Sequence, residues 1–223
     1  MRGLFVTATD TGVGKTEVAC AILRNARAAG LDVIGMKPAQ SGHDPGEPSD
    51  ADRLRAACDG AEPLEVICPY TFAAPLAPAV AARVEGKTVS LARIVDAARA
   101  LAARHEAVLV EGAGGLLVPL TERETYADLA RALGLAALVV ARAGLGTVNH
   151  VALTVEALRA RRIPLAGIVL NRTVAEDDPS VPHNVAEIAR LTGCEPLATL
   201  PFVRDIAERA SIVRSRLAGK IQF

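Results

Sequence analysis

The feature that most constrains this chain is Thr9-Asp10-Thr11-Gly12-Val13-Gly14-Lys15-Thr16, set between the apolar run Leu4–Thr7 and a helical pattern over Thr16–Ala29. A strand, a glycine-rich loop and a helix in that order turn backbone N–H groups and a helix N-terminus toward a phosphate. In such a loop the Lys ammonium reaches the β- and γ-oxygens and the next hydroxyl ligates Mg²⁺, so Lys15 and Thr16 take those roles and Gly12, Val13 and Gly14 form the cradle. The strict G-x-x-x-x-G-K-[ST] pattern has Gly where this chain has Thr9, which makes the loop a variant.

The rest of the chain repeats the alternation. Strand patterns at Leu4–Thr7, Asp32–Met36, Ala107–Glu111, Ala136–Ala141, Ala166–Leu170 and Pro196–Leu200 are separated by helical windows. These windows are Thr16–Ala29, Asp50–Cys58, Ser90–Arg104, Thr125–Leu133, Thr147–Arg161 and Val181–Leu191. The runs VLVEG, ALVVAR and GIVLN are apolar on both faces, as strands covered by helices on both sides must be. The expected architecture is an α/β domain over residues 1–223, a doubly wound, mostly parallel sheet of the P-loop NTPase kind. Gly30 sits where a C′ glycine ends the first helix, and the stretches 43–50 and 174–182 read as surface loops.

Composition removes several functions. Lys+Arg and Asp+Glu balance at 25 each and aromatics make up 3%, so neither the basic excess nor the stacking platforms of a nucleic-acid binder are present. Cys20, Cys58, Cys68 and Cys194 form no CxxC pair, and His43, His105, His150 and His183 form no HxxxH or HxH pair, so neither zinc nor a disulfide framework is indicated. The first residues lack a signal-peptide apolar region and no apolar run reaches about 18 residues, which points to a cytoplasmic chain with reduced thiols and no membrane partner.

A second lysine, Lys37, closes the strand Asp32–Met36 and is followed by Pro38-Ala39-Gln40-Ser41-Gly42. At the carboxyl end of a parallel strand, next to the strand that bears the P-loop, Lys37 would point into the crevice where doubly wound sheets bind ligands, with Ser41 and Gly42 beside it. A nucleotide-bound Mg²⁺ needs carboxylate oxygen besides the P-loop hydroxyl. Glu111 follows the apolar run AVLV at a strand's carboxyl end and precedes Gly112-Ala113-Gly114-Gly115, whose backbone can approach phosphate. Asp50 in Ser49-Asp50-Ala51-Asp52 is the second candidate, with Asp52 the alternative, since either can face the metal depending on where the helix starts.

In order and spacing, TATDTGVGKT, GMKPAQSG, SDA, CPYTFAAPLAPAVAA, VLVEGAGGLLVPL, LGTVNH, GIVLN and TLPF resemble the dethiobiotin synthetases, the ATP-dependent carboxylases of biotin synthesis. The resemblance spans nearly the whole chain, and one departure is Ala8, where many members have Gly. It implies that Lys15 and Lys37 work at the reacting centre and that Thr16, Asp50 and Glu111 bind Mg²⁺ with ATP. It places Glu17, Gly112, Ala113, Gly114, Asn171, Arg172, Pro201, Phe202, Val203 and Glu208 with the nucleotide. Thr11, Lys37, Ser41, Gly146, Thr147 and Asn149 then belong to the substrate site. The implied reaction turns 7,8-diaminononanoate, CO₂ and ATP into dethiobiotin, ADP and phosphate through a carbamate and a carbamic-phosphoric anhydride. The implied assembly is a homodimer in which the helix start at Gly144–Asn149 reaches the partner's substrate carboxylate through free N–H groups. The plain alternative for that helix is a cap by Thr147 and nothing more. A regulatory switch of the partition-ATPase type is disfavoured because its second, signature Lys is replaced here by Asp10.

Overall fold

The computed structural model describes residues 1–42 and 46–223, so positions 43–45 of the expected loop at 43–50 lie outside the described residues. The chain runs β1 (Gly3–Ala8), α1 (Lys15–Ala28), β2 (Val33–Met36), β3 (Gln40–Ser41), α2 (Asp50–Ala57), α3 (Leu64–Ile67) and β4 (Thr71–Phe72). It continues through α4 (Pro78–Val84), α5 (Leu91–Ala102), β5 (Ala107–Gly115), α6 (Tyr126–Leu133), β6 (Ala136–Arg142), α7 (Thr147–Ala160), β7 (Leu165–Asn171), α8 (Val181–Thr192), β8 (Ala198–Leu200) and α9 (Ile206–Leu217). Six strands form one sheet in the order β2-β5-β1-β6-β7-β8, every pairing parallel. The short pair β3-β4 forms a separate parallel ribbon.

Right-handed crossovers put α1, which leads left to β2, on one face and α5 to α8, whose connections lead right, on the other. Contacts agree: α1 packs on α2 and α9, α5 on α6, and α7 on α8. The connections diverge on either side of β1, the switch point where doubly wound sheets leave a crevice at their carboxyl edge. The P-loop opens there. Between the helical layers Leu4, Phe5, Val6, Val108, Leu109, Val110, Leu138, Val139, Ile168 and Val169 are almost wholly buried, which explains why these strands read as continuous apolar runs.

Three expectations change. The strand carrying Lys37 is not next to the P-loop strand, because β5 lies between β2 and β1. Glu111 does not end its strand either. β5 runs on to Gly115, and between the pairs Val6↔Glu111 and Ala8↔Gly115 it carries extra residues in a bulge. Such a bulge beside a functional residue re-aims its side chain. Finally, β3, β4, α3, α4 and α9 carry too little periodicity to be read. Helices α3 and α4 span a turn or two, and along α9 the residues Val213 and Leu217 are the buried apolar pair, where α9 packs on α1 and β8.

At the other end of α1 the expectation holds: Gly30 has φ 86, and the Leu31 N–H closes onto the Ala26 carbonyl at 3.0 Å. Helix α2 begins in a reciprocal cap. The Asp52 N–H donates to Ser49 Oγ at 3.1 Å while the Ser49 N–H donates to Asp52 Oδ2 at 3.0 Å.

Candidate active site

The chemistry gathers at the carboxyl edge of the sheet around Lys37. Leaving β2, its side chain reaches two residues of β5 and is only 2% exposed. Its Nζ donates to Asp50 Oδ2 and Glu111 Oε1, each at 2.7 Å, and to the Gly112 carbonyl at 3.3 Å, which engages all three ammonium protons. Burial alone would lower this ammonium, but the two carboxylates outweigh it and hold the Lys37 pKa above its ordinary value. Burial likewise opposes ionisation of Asp50, and Lys37 and the Thr16 hydroxyl reverse it, so the Asp50 pKa falls below its ordinary value.

Asp50, not Asp52, faces the site. Asp52 is engaged by the cap at Ser49, which fixes the first turn of α2 and turns Asp50 Oδ1 toward Thr16. The Thr16 Oγ1 lies 2.9 Å from Asp50 Oδ1 and 2.9 Å from Glu111 Oε1. One hydroxyl proton can serve only one of them. Glu111, wholly buried, also carries an Oε2 with no hydrogen-bond partner among the described residues. Three convergent oxygens short of protons, with an orphaned carboxylate oxygen behind them, suit a hard divalent cation that fills its remaining positions with phosphate and water. Among the described residues there is no cluster of three or more His, Cys, Asp or Glu side chains; two carboxylates and a hydroxyl have the hard oxygen chemistry that Mg²⁺ takes, and the remaining positions would fall to nucleotide and water.

Lys15 is 7% exposed and donates from Nζ to the Asp10 carbonyl at 3.3 Å. Burial, aided by the charge of Lys37, lowers its pKa. An ammonium so poorly supplied with acceptors gains most from a phosphate. The rest of the loop is braced from two sides. The Asp10 carboxylate accepts the Thr11 N–H at 2.7 Å and Arg142 Nη2 at 2.8 Å, which ties the outer turn to the end of β6. Asn171, at the end of β7, donates from Nδ2 to the Val13 carbonyl at 2.9 Å. Gly14 makes that clamp possible, since its φ of 93 lies in the left-handed region and a Cβ there would collide with Asn171 Nδ2. Gly14→Ala is therefore expected to weaken nucleotide binding about tenfold or more, read by calorimetric titration of ADP. Unchanged affinity would show that the loop tolerates displacement of Asn171.

The other expected nucleotide residues are dispersed in role. Arg172 pairs backbone with β8, its N–H donating to the Leu200 carbonyl at 3.0 Å, so Asn171 and Arg172 lie beside half-buried Pro201, Phe202 and Val203. The Arg172 guanidinium turns instead to the Glu176 carbonyl at 2.9 Å and to Asp177. Glu208, in the first turn of α9, donates its N–H to Asp205 Oδ1 at 2.7 Å and leaves its side chain exposed. Glu17 carries ion pairs to Arg53 and Arg209, two residues with no signal in the sequence. Gly112, Ala113 and Gly114 form the bulge on β5, with the Gly112 carbonyl already on Lys37.

Among the expected substrate residues, Ser41 lies on β3 and lines a cavity of about 260 Å³ with Gln40, Gly42, Ser49 and Asp50. Thr11 lines a second cavity, of about 480 Å³, together with Gly114–Pro119 and the α7 residues Leu153 and Ala157. Gly146, Thr147 and Asn149 open α7, and no hydrogen bond among the described residues joins them to Lys15 or Lys37. Thr147 is not a cap. The cap is Gly146 at φ 91, and the buried Thr147 Oγ1 has no partner among the described residues.

Nucleophile chemistry finds no support in the cysteines, whose thiols burial pushes up to about 12 at Cys20 and about 11 at Cys58. No helix among the described residues is long and apolar enough to cross a membrane.

Comparison with known proteins gives one consistent result. A family model described as an AAA domain matches residues 2–210. The chain is 78% identical over 223 residues, 100% of both chains, to the ATP-dependent dethiobiotin synthetase BioD of an Anaeromyxobacter species. It is 42% identical over 221 residues, 96% of each chain, to the protein of the same name from Nitrosospira multiformis. Among solved structures, a ParA family ATPase from Chlorobium tepidum TLS superposes with a TM-score of 0.59 at 16% identity, over 97% of this chain and 90% of the other, a likeness of fold alone.

Proposed function

The chain belongs to the ATP-dependent dethiobiotin synthetases, ligases of biotin biosynthesis, and we propose that it carboxylates 7,8-diaminononanoate with CO₂ and closes the ureido ring at the expense of ATP. The observation that carries this reading is the convergence of Lys37, Thr16, Asp50 and Glu111 beside the P-loop.

One amine of the substrate takes up CO₂ and loses a proton to give a carbamate. A carbamate oxygen attacks the γ-phosphorus and ADP leaves, forming a carbamic-phosphoric anhydride. The second amine then attacks the carbamoyl carbon, and phosphate leaves as the ring closes. The obstacle is electrostatic, since carbamate and γ-phosphate are both anions and must touch. Lys15 and Lys37 supply fixed positive charge in a place where burial strengthens every interaction. The two carboxylates that hold the Lys37 pKa up and accept its protons support a role as a cation and hydrogen-bond donor. Thr16, Asp50 and Glu111 would hold Mg²⁺, which when bound neutralises charge on the β- and γ-oxygens. The protein positions two charged reactants and contributes no nucleophile.

Asn171, Arg172 and Pro201–Val203 would receive the nucleoside, with Glu208 at its ribose side, Glu17 among the nearby nucleotide residues, and the Gly112–Gly114 bulge near the phosphates. Thr11 and Ser41 would flank the diamine. Gly146, Thr147 and Asn149 at the α7 start of a second subunit would receive the substrate carboxylate, in a cytoplasmic homodimer. Exposed Leu117 and Leu153, both lining the cavity beside the P-loop, suit such a contact. Dilution to a verified monomer is accordingly expected to abolish synthesis while ADP binding persists. Full activity in the monomer would refute the shared site.

The reaction itself is tested by ADP release with and without diaminononanoate and bicarbonate. Release that requires both supports the synthetase. ATP turnover independent of both would overturn it.

A further inference from the structure

Glu17 stands directly after Thr16 yet takes no part in the Lys37 cluster. Its Oε1 accepts from two guanidiniums on two other helices, Arg53 Nη2 of α2 and Arg209 Nη2 of α9, the latter at 2.9 Å. Its side chain is 15% exposed. Neither arginine has another carboxylate within ion-pair distance among the described residues, and Arg209 Nε is buried without a partner. Two cations therefore meet on one anion, and removing that anion leaves two guanidiniums repelling each other across the junction of three helices.

Each of those helices carries one part of the proposed nucleotide site. Helix α1 bears the phosphate loop and Thr16, α2 presents Asp50 one turn before Arg53, and α9 follows directly from Pro201–Val203. A second tie between α1 and α9 lies farther from the site: Asn25 Nδ2 donates to the Arg214 carbonyl at 2.8 Å, and Arg214 Nε donates to Asn25 Oδ1 at 3.2 Å. At about 1.5 Å per residue, that pair is about 12 Å along α1 from Glu17.

We propose that Glu17 is a positioning residue whose carboxylate locks α2 and α9 onto the P-loop helix, so that the metal-binding carboxylate and the base-binding segment stay in register with the phosphate loop. The inference rests on the reading that nucleotide spans from the P-loop to Pro201–Val203.

The test is calorimetric titration of ADP, with and without Mg²⁺, into the full chain and its Glu17→Gln, Arg209→Gln and Asn25→Ala variants, with KM for each substrate measured in parallel. Glu17→Gln is expected to weaken ADP binding and raise KM for ATP about tenfold while KM for the diamine stays within about twofold. Arg209→Gln should weaken ADP binding similarly, and the double variant no further, since both act through one contact. Asn25→Ala removes the distant tie and should lower the melting temperature with ADP affinity kept within about twofold. Unchanged ADP affinity in both Glu17→Gln and Arg209→Gln overturns the proposal, as does an equal loss in Asn25→Ala, which would make general docking of α9 the cause. A wild-type protein that binds no ADP refutes the nucleotide reading instead.

Discussion

Replacing Lys37 with Met is expected to lower kcat for dethiobiotin formation by about 10² to 10³, the cost of removing one preorganised charged donor from a water-poor site. The same change strips the wholly buried Glu111 of its counter-ion, and breaking a buried pair from one side typically costs about 3–5 kcal/mol. Stability and catalysis can be separated by the double variant Lys37→Met, Glu111→Leu. It should recover most of the melting temperature, because an apolar replacement of a buried pair removes the desolvation penalty, and recover no activity. A single variant that folds and keeps full synthetase activity would remove Lys37 from the mechanism. Titration gives an independent check. With its folded pKa raised above 10.5, Lys37 contributes stability that is complete below that value and is lost as pH rises through the folded pKa. Asp50, depressed below 3.8, contributes stability present above that value and lost as pH falls through its folded pKa. Lys37→Met should flatten the alkaline limb of the stability curve.

Glu111→Gln should raise the Mg²⁺ concentration needed for half-maximal activity by at least about tenfold, while the protein stays folded. The amide keeps an oxygen for Lys37 but removes the negative charge from the set formed with Thr16 and Asp50. Binding of Mn²⁺ in the presence of ADP, followed by electron paramagnetic resonance, reads the same loss without turnover. Unaltered metal affinity alongside a lowered melting temperature would make Glu111 a counter-ion of Lys37 only.

Both predictions concern residues legible in the sequence one at a time. Lys15, Thr16 and the glycines between them could be read because a P-loop is local: its residues are contiguous and its geometry follows from a strand passing into a helix. The parallel sheet could be read because strands buried on both faces have continuous apolar runs. Asp50 and Asp52 could not be separated, because the choice depends on the cap at Ser49, which fixes one turn of helix. Helix α9 escaped notice since it buries little beyond Val213 and Leu217. Arg53 and Arg209 gain meaning only through Glu17, a contact between helices far apart in the chain.

By itself, then, the sequence determined a phosphate loop, a doubly wound sheet and a short set of lysines and carboxylates, since each depends on neighbouring residues and on periodicity. The tertiary structure decided how they meet. Strand β5 enters between β2 and β1, so that Glu111 bridges Lys37 and Thr16, a result of crossover connections whose lengths allow more than one strand order and whose outcome is set by packing of the whole sheet.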